Sequence, residues 1–334
     1  MKYFSMFSGI GGFELGIQRV FSNRDHERLS CVGFSEIDKY AIQIYKKHFK
    51  HKGYGDAARI IWKEVEEFDC LVGGFPCQAF SLAGNRRGFK DTRGTLFFEI
   101  ARCLEERKPR FCVLENVKGL LSHDKGNTFF TILTTLEELG YDVEWQVLNS
   151  KDFCVPQNRE RVFIVGHLRG SSGRKVFPLG SDGEGYHKLS SSPGWVQSKA
   201  SIGGCIGTKQ DRQHNTFIVH NLQTRSPNRP SLTKICPCGS GKLYKKCCGV
   251  DGGSGHLSRD DGVTYCLDSS GQGVQVGDMR IRRLTPLECE RLQGFPDGWT
   301  EGISDTQRYK CIGNAVTVNV IEAIFTQIFE RGVL

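Results

Sequence analysis

A doubly wound α/β fold with a mostly parallel sheet, joined to a smaller β-rich domain, is what this 334-residue sequence predicts. Three observations lead there. Short apolar runs alternate with helix-spaced segments as far as about residue 170. Helical spacing returns only near the C-terminus, at 286–292 and 318–329. Between 177 and 280 Ser and Gly crowd the chain, and β-like runs such as 216–219 and 263–267 stand between polar turns.

Taken in order, Tyr3 to Phe7 reads as a strand, Gly9, Gly11 and Gly12 as a turn, and Phe13 to Phe21 as a helix. Cys31 to Ser35 reads as a second strand, and a third is expected to end at Asp56. Asp69 to Gly73, Phe111 to Leu114 and Arg161 to His167 are further strands. Leu96, Phe97, Ile100, Ala101 and Leu104 fall at helical spacing, and Pro109 stops that helix. Thr128 to Leu139 is another helix. The chain is thus expected to leave its first domain and come back to it. Residues 1–176 and 281–334 would form one domain and 177–280 the other.

A formal net charge of +8 permits a polyanionic partner without requiring one. Residues 177–280 hold twelve basic and eight acidic residues, half of that excess. No run of about 18 apolar residues exists, so no transmembrane helix is expected. Lys2 is followed by a strand-like stretch rather than an apolar leader. Most of the 14 cysteines are scattered singly in apolar runs, as Cys31, Cys70, Cys103 and Cys112 are. That is the pattern of reduced thiols in a cytoplasmic protein.

The chemistry-bearing residues stand where strands should end. In Phe7-Ser8-Gly9-Ile10-Gly11-Gly12 a strand runs through glycines into a helix, as nucleotide-binding loops do. Glu36, about 20 residues further on, can accept hydrogen bonds from ribose hydroxyls, and Asp56 can bind an adenine amino group. A dehydrogenase would use similar geometry, so this corner alone does not name a cofactor. In Gly73-Gly74-Phe75-Pro76-Cys77-Gln78 a strand enters a turn that presents a thiol, a soft nucleophile.

Together, Phe7 to Gly11, Pro76-Cys77, Glu115-Asn116-Val117, Gln157 to Arg161, Arg283 to Pro296 and Gly313-Asn314 resemble, in this order, the motifs of the DNA cytosine-5 methyltransferases of bacteria and phages. The resemblance covers most of residues 1–170 and 281–320. It implies the fold of S-adenosylmethionine-dependent methyltransferases, with 177–280 as the target-recognition domain. It also implies methyl transfer to carbon 5 of a flipped cytosine in duplex DNA through a Cys77 adduct. Pro76, in the same turn, would belong to the cofactor-binding residues. Glu115 would serve cytosine N3, Arg161 would hold O2, and Arg159 would reach a phosphate. The implied cofactor is S-adenosylmethionine, with Phe7 and Ile37 against the adenine, Glu36 on the ribose, Asp56 on the exocyclic amine and Asn314 closing the pocket. Ile37 stands where many members have an aromatic residue, so looser packing is expected there. Residues 78–94, with Arg86, Arg87, Lys90 and Arg93, are expected to form a mobile basic lid. The implied context is restriction–modification, as a monomer, with a cognate restriction endonuclease acting on the same sequence.

One segment lies outside that pattern. Cys236, Cys238, Cys247 and Cys248, within 236–249, resemble the small zinc motif at the C-terminus of the bacterial preprotein translocase ATPase. Four thiolates so spaced can close a tetrahedral structural zinc site. Two other functions fit part of the sequence: a tRNA cytosine-5 methyltransferase, and a non-enzymatic zinc-containing DNA-binding regulator. The glycine-rich recognition segment favours DNA over tRNA. A pure binder would have no use for Cys77, Glu115 and Arg161.

Overall fold

The structure, a computed structural model, describes residues 1–22, 29–76, 96–170, 175–179, 187–188, 264–265, 273–276 and 280–332. Among these, strands β1 (Lys2–Met6), β2 (Ser30–Ser35), β3 (Cys70–Gly74), β4 (Phe111–Val117) and β5 (Tyr141–Asn149) share a sheet with β7 (Glu160–Leu168) and β8 (His187–Lys188). A two-residue strand, β6 (Gln157–Asn158), pairs in parallel with β9 (Thr264–Tyr265). The sheet order is β2-β1-β3-β4-β7-β5-β8. β2, β1, β3 and β4 run parallel, while β7 lies antiparallel between β4 and β5. The mostly parallel, doubly wound sheet expected from the sequence is therefore what the chain forms.

Helices cover both faces because the strands are apolar on both, as a buried parallel sheet requires. Side chains alternate along each strand. On one face Phe4, Met6, Leu71, Leu114 and Ile164 pack against α3 (Leu96–Arg107) and α4 (Asn127–Glu138), through Phe97, Ile100, Leu104, Phe129, Ile132 and Leu136. On the other, Tyr3, Val72, Val113, Phe163 and Val165 meet Phe13 and Ile17 of α1 (Gly12–Ser22). Val320, Ile321, Ile324 and Ile328 of the last helix, α7 (Val318–Glu330), complete that layer. The C-terminal helix thus packs beside the N-terminal one.

A third cluster joins α2 (Lys39–His48) to α5 (Pro286–Leu292) and α6 (Asp305–Asn314). Ile10, Phe34, Tyr45 and Phe49 meet Leu292, Phe295, Trp299 and Ile312 there. The Trp299 indole N–H donates to the Ile10 carbonyl at 3.0 Å, and its ring stacks on His48 with centroids 3.6 Å apart. Thr285 and Glu288 form a reciprocal capping box at the start of α5, with Pro286 at its first turn. Within residues 305–330 an 18-residue stretch is apolar enough, by length and composition, to cross a membrane. These residues fold instead as two helices, α6 and α7, and α7 belongs to the core.

The structure departs from the sequence reading in several places. No strand ends at Asp56: that residue caps a single 3-10 turn, Ala57–Arg59, by accepting from the Ala58 amide. Helix α2 went unread although Asp38 caps it and Ala41, Ile44 and Tyr45 form its buried stripe. Strand β5 hid because Glu144 and Gln146 interrupt its apolar alternation. Glu144 accepts from the amides of Val176 and Phe177 and from His167, and Gln146 exchanges two hydrogen bonds with Leu179. Cys31, Cys70, Cys103, Cys112, Cys289 and Cys311 are free thiols, whereas Cys154 is disulfide-bonded.

Candidate active site

The carboxyl ends of β1, β2, β3 and β4 open on one edge of the sheet, where open α/β folds bind ligands. A cleft of about 360 Å³ lies there. Phe7 and Gly9 line it after β1, Glu36 and Ile37 after β2, and Phe75 and Pro76 after β3. Glu115, Asn116 and Val117 bring the end of β4, Arg159 and Arg161 the start of β7, and Asn314 the end of α6. Asp56 and Ala57 close one wall.

One side of the cleft suits a nucleoside. The Glu36 carboxylate accepts from the amides of Gly9 (2.9 Å), Ile37 (2.8 Å) and Asp38 (2.9 Å), which fix its orientation. A carboxylate so held still has lone pairs for ribose hydroxyls. Ile37 is 73 % exposed, an unusual position for an isoleucine and a fitting one for a flat apolar ligand. Phe7 sits at φ 55, a conformation that costs a non-glycine residue on the order of 1–3 kcal/mol and clusters at ligand sites. Gly11 and Gly12 do not line the cleft. A methyl group on Gly11 would collide with the Phe49 ring, and one on Gly12 would stand 2.8 Å from Val316. Both serve close packing behind the loop.

The other side carries charge. Arg161 lies opposite Val117 in the β4–β7 ladder, and Glu115 is two residues along on the same face. That diagonal brings Arg161 Nε to 2.9 Å from Glu115 Oε1, with both side chains mostly buried. Gly74 lies opposite Glu115 in the β3–β4 ladder, and a methyl group there would stand 3.1 Å from Glu115 Oε2. Glycine at 74 therefore leaves the carboxylate its place. Arg159 is 2 % exposed and donates from Nη2 to the carbonyls of Gly313 and Ala315, each at 3.0 Å.

Two residues of the site went unread. Asn116, 1 % exposed, donates to the Phe75 carbonyl at 2.9 Å and accepts from the Val117 amide, so it hooks the segment leading into Pro76. Gln157 donates to the Leu292 carbonyl at 2.8 Å and to Gln293, which bonds Ile312 and Thr317 in turn. Both lie inside motifs already noticed, but burial and not reactivity defines their work. Cys77, residues 78–94 and the 236–249 cysteines lie outside the described residues.

Sheet order, cleft position and residue set together define a methyltransferase-type α/β enzyme. The model of the C-5 cytosine-specific DNA methylases matches residues 1–330. The chain is 39% identical to the Type II methyltransferase M1.ScrFI of Lactococcus lactis subsp. cremoris, over 98% of this chain and 78% of that one. It is 37% identical to M.SsoII of Shigella sonnei, over 98% and 80% of the two chains, and 37% identical to M.HpaII of Haemophilus parainfluenzae, over 98% and 89%. Among solved structures, the S. pombe Dnmt2 methyltransferase has a TM-score of 0.65 at 17% identity, covering 99% of this chain and 98% of its own, a likeness of fold. This chain belongs to the C-5 cytosine-specific DNA methylase family and is a DNA cytosine-5 methyltransferase that uses S-adenosylmethionine.

Proposed function

We propose that the cleft binds S-adenosylmethionine on its Glu36 side and a flipped cytosine on its Glu115 side, and that Cys77 is the nucleophile between them. The observation that carries this reading is the convergence of the Glu36 loop, the Glu115–Arg161 pair and Pro76, the residue before Cys77, on one cleft. Phe7 and Ile37 fit an adenine, Glu36 the ribose and Asp56 the exocyclic amine, although Asp56 also caps its own 3-10 turn. When bound, the cofactor supplies an electrophilic methyl group.

The chain's own residues do the rest. Carbon 5 of cytosine is too weak a nucleophile to be methylated directly. Addition of the Cys77 thiolate to carbon 6 pushes an electron pair through the ring towards N3 and leaves carbon 5 as the end of an enamine. Glu115 meets the density at N3 with a hydrogen bond or proton, and Arg161 binds O2. The Glu115–Arg161 pair sets the spacing of those two contacts before the base arrives, as preorganised polar groups do. Loss of the proton on carbon 5 to a base, with water a candidate, and expulsion of Cys77 restore the ring. A base inside a duplex must be flipped out first, at a cost of a few kcal/mol.

Cys77→Ala is expected to abolish methyl transfer to duplex DNA while leaving DNA binding largely intact. A duplex bearing 5-fluorocytosine at the target should form a covalent adduct with the unsubstituted enzyme only. Transfer persisting in the Ala variant would exclude the mechanism.

The curated relatives carry Type II names, which supports a restriction–modification role beside an endonuclease of the same specificity. A monomer in the cytoplasm, where duplex DNA is reached, fits that role. Residues 1–176 and 281–334 form the catalytic domain in this reading, and 177–280 chooses the target. Exchanging 177–280 with a relative of different specificity should carry the methylated sequence with it. Cys236, Cys238, Cys247 and Cys248 would hold one structural zinc ion. The spacing supports this, and metal analysis of protein purified without chelator tests it.

A further inference from the structure

Asn314 is the last residue of α6, exposed at the rim of the cleft. It sits where the backbone leaves the helix: Ala315 is already extended, at φ −69 and ψ 151. The last carbonyls of a helix have no partner inside it and must find one elsewhere. Two of the carbonyls here, Gly313 O and Ala315 O, flank Asn314, and both accept from Nη2 of Arg159 at 3.0 Å. A cation at a helix C-terminus is favoured by the helix dipole as well.

The Arg159 end is equally fixed. Its amide donates to Asn149 Oδ1 at 3.1 Å, and its carbonyl accepts from the amide of Ser150 at 3.0 Å and from the Ser150 hydroxyl. The buried guanidinium is therefore a strut of set length between the β5–β7 region and the carbonyls of the residues on either side of Asn314. Gln293 supports the same segment, donating to Ile312 O at 3.0 Å and Ala315 O at 3.3 Å.

We infer that Arg159 is a positioning residue that acts through Asn314, setting the rim of the cofactor pocket rather than contacting DNA. This rests on the reading of Asn314 as a cofactor-side residue. The strut joins residues more than 150 positions apart in sequence, so the cofactor pocket is complete only when the C-terminal segment is docked on the strand that carries Arg161.

The test is a double-mutant cycle on full-length protein, read as calorimetric affinity for S-adenosylmethionine. Asn314→Ala is expected to weaken binding roughly tenfold, the loss of about one good hydrogen bond. Arg159→Gln, too short to span both carbonyls, should weaken it by a similar factor. Arg159→Lys, which keeps the charge and most of the length, should recover part of the loss, and it serves alone should the Gln variant fail to fold. In the Asn314→Ala background neither Arg159 substitution should cost more than about a further twofold, because the route is already cut. Equal losses in both backgrounds, or no loss on Arg159 substitution in the unsubstituted protein, would overturn the inference while leaving the cofactor site intact. Unchanged affinity in Asn314→Ala would instead remove Asn314 from the cofactor site, and the inference with it.

Discussion

Glu36 is held by amides that lie no more than 27 residues away, inside a single strand–helix–strand unit. Gln157 and Arg159 reach partners 135 to 156 residues away, on a segment the chain returns to only after residue 280. The Glu36 loop of the cleft is thus a local construction, whereas the Asn314 rim and the segment leading into Arg161 are pinned by long-range contacts. Local contacts form wherever the chain folds at all. Long-range ones depend on docking of the C-terminal segment, so the two sides should fail under different perturbations.

The largest effect is expected at that dock. Glu290 is fully buried and accepts from the Gly298 and Thr300 amides, the Thr300 hydroxyl and Arg308. Glu290→Ala leaves the Arg308 cation, 15 % exposed, with only a 3.5 Å pairing to Asp305 and the Thr300 hydroxyl, and should cost about 3 kcal/mol of unfolding free energy in urea. A cost below about 1 kcal/mol would mean the segment is not held there.

The local side has its own sensitivity, to pH. Glu14 opens α1 just behind the cofactor loop, and burial pushes its carboxyl up to about 7 from 4.5. Tyr45 donates to it at 2.9 Å and contacts His51 Nδ1 at 2.9 Å, while burial lowers the His51 pKa. The folded state binds the Glu14 proton more tightly than the unfolded chain does. Its contribution is therefore complete below pH 4.5 and is lost as pH rises through about 7. The loss should be on the order of 3 kcal/mol by mildly alkaline pH. Glu14→Gln, uncharged throughout, should flatten the fall in urea midpoint between about pH 4.5 and 7. An unchanged slope would show that another group titrates.

The smallest of the three effects sharpens the comparison most. Glu36→Ala should raise the dissociation constant for S-adenosylmethionine about 10- to 100-fold, the value of charge-assisted hydrogen bonds to a ribose. DNA affinity measured without cofactor should barely move. Weakened DNA binding of the same size would show that the two sides are one unit after all.

How much of this was legible beforehand differs between the same two sides. Glu36 and the Phe7 loop are named by position, because a strand end and a glycine turn follow from spacing alone, whereas Ile37 is named by the resemblance. Glu115, Arg161 and Asn314 are named by motif, and the structure brings them to the same cleft. The burial of Arg159 was not legible, since nothing in Gln-Asn-Arg-Glu-Arg says which arginine faces inward. Asn116 was passed over because a buried hook and a solvated amide look alike in one dimension.

By itself the sequence determined strands β1 to β4 and β7, helices α1, α3 and α4, and the chemical identity of the reactive groups. Each of those follows from periodicity, turn residues and side-chain chemistry, all properties of short stretches. Tertiary structure alone decided that α7 would lie beside α1, and that β7 would enter antiparallel between β4 and β5. It also decided that an arginine would clamp carbonyls from the far end of the chain. The physical reason is that a buried polar group takes whichever partner satisfies it. Which partner that is depends on the distance in space, to which spacing along the chain gives no guide.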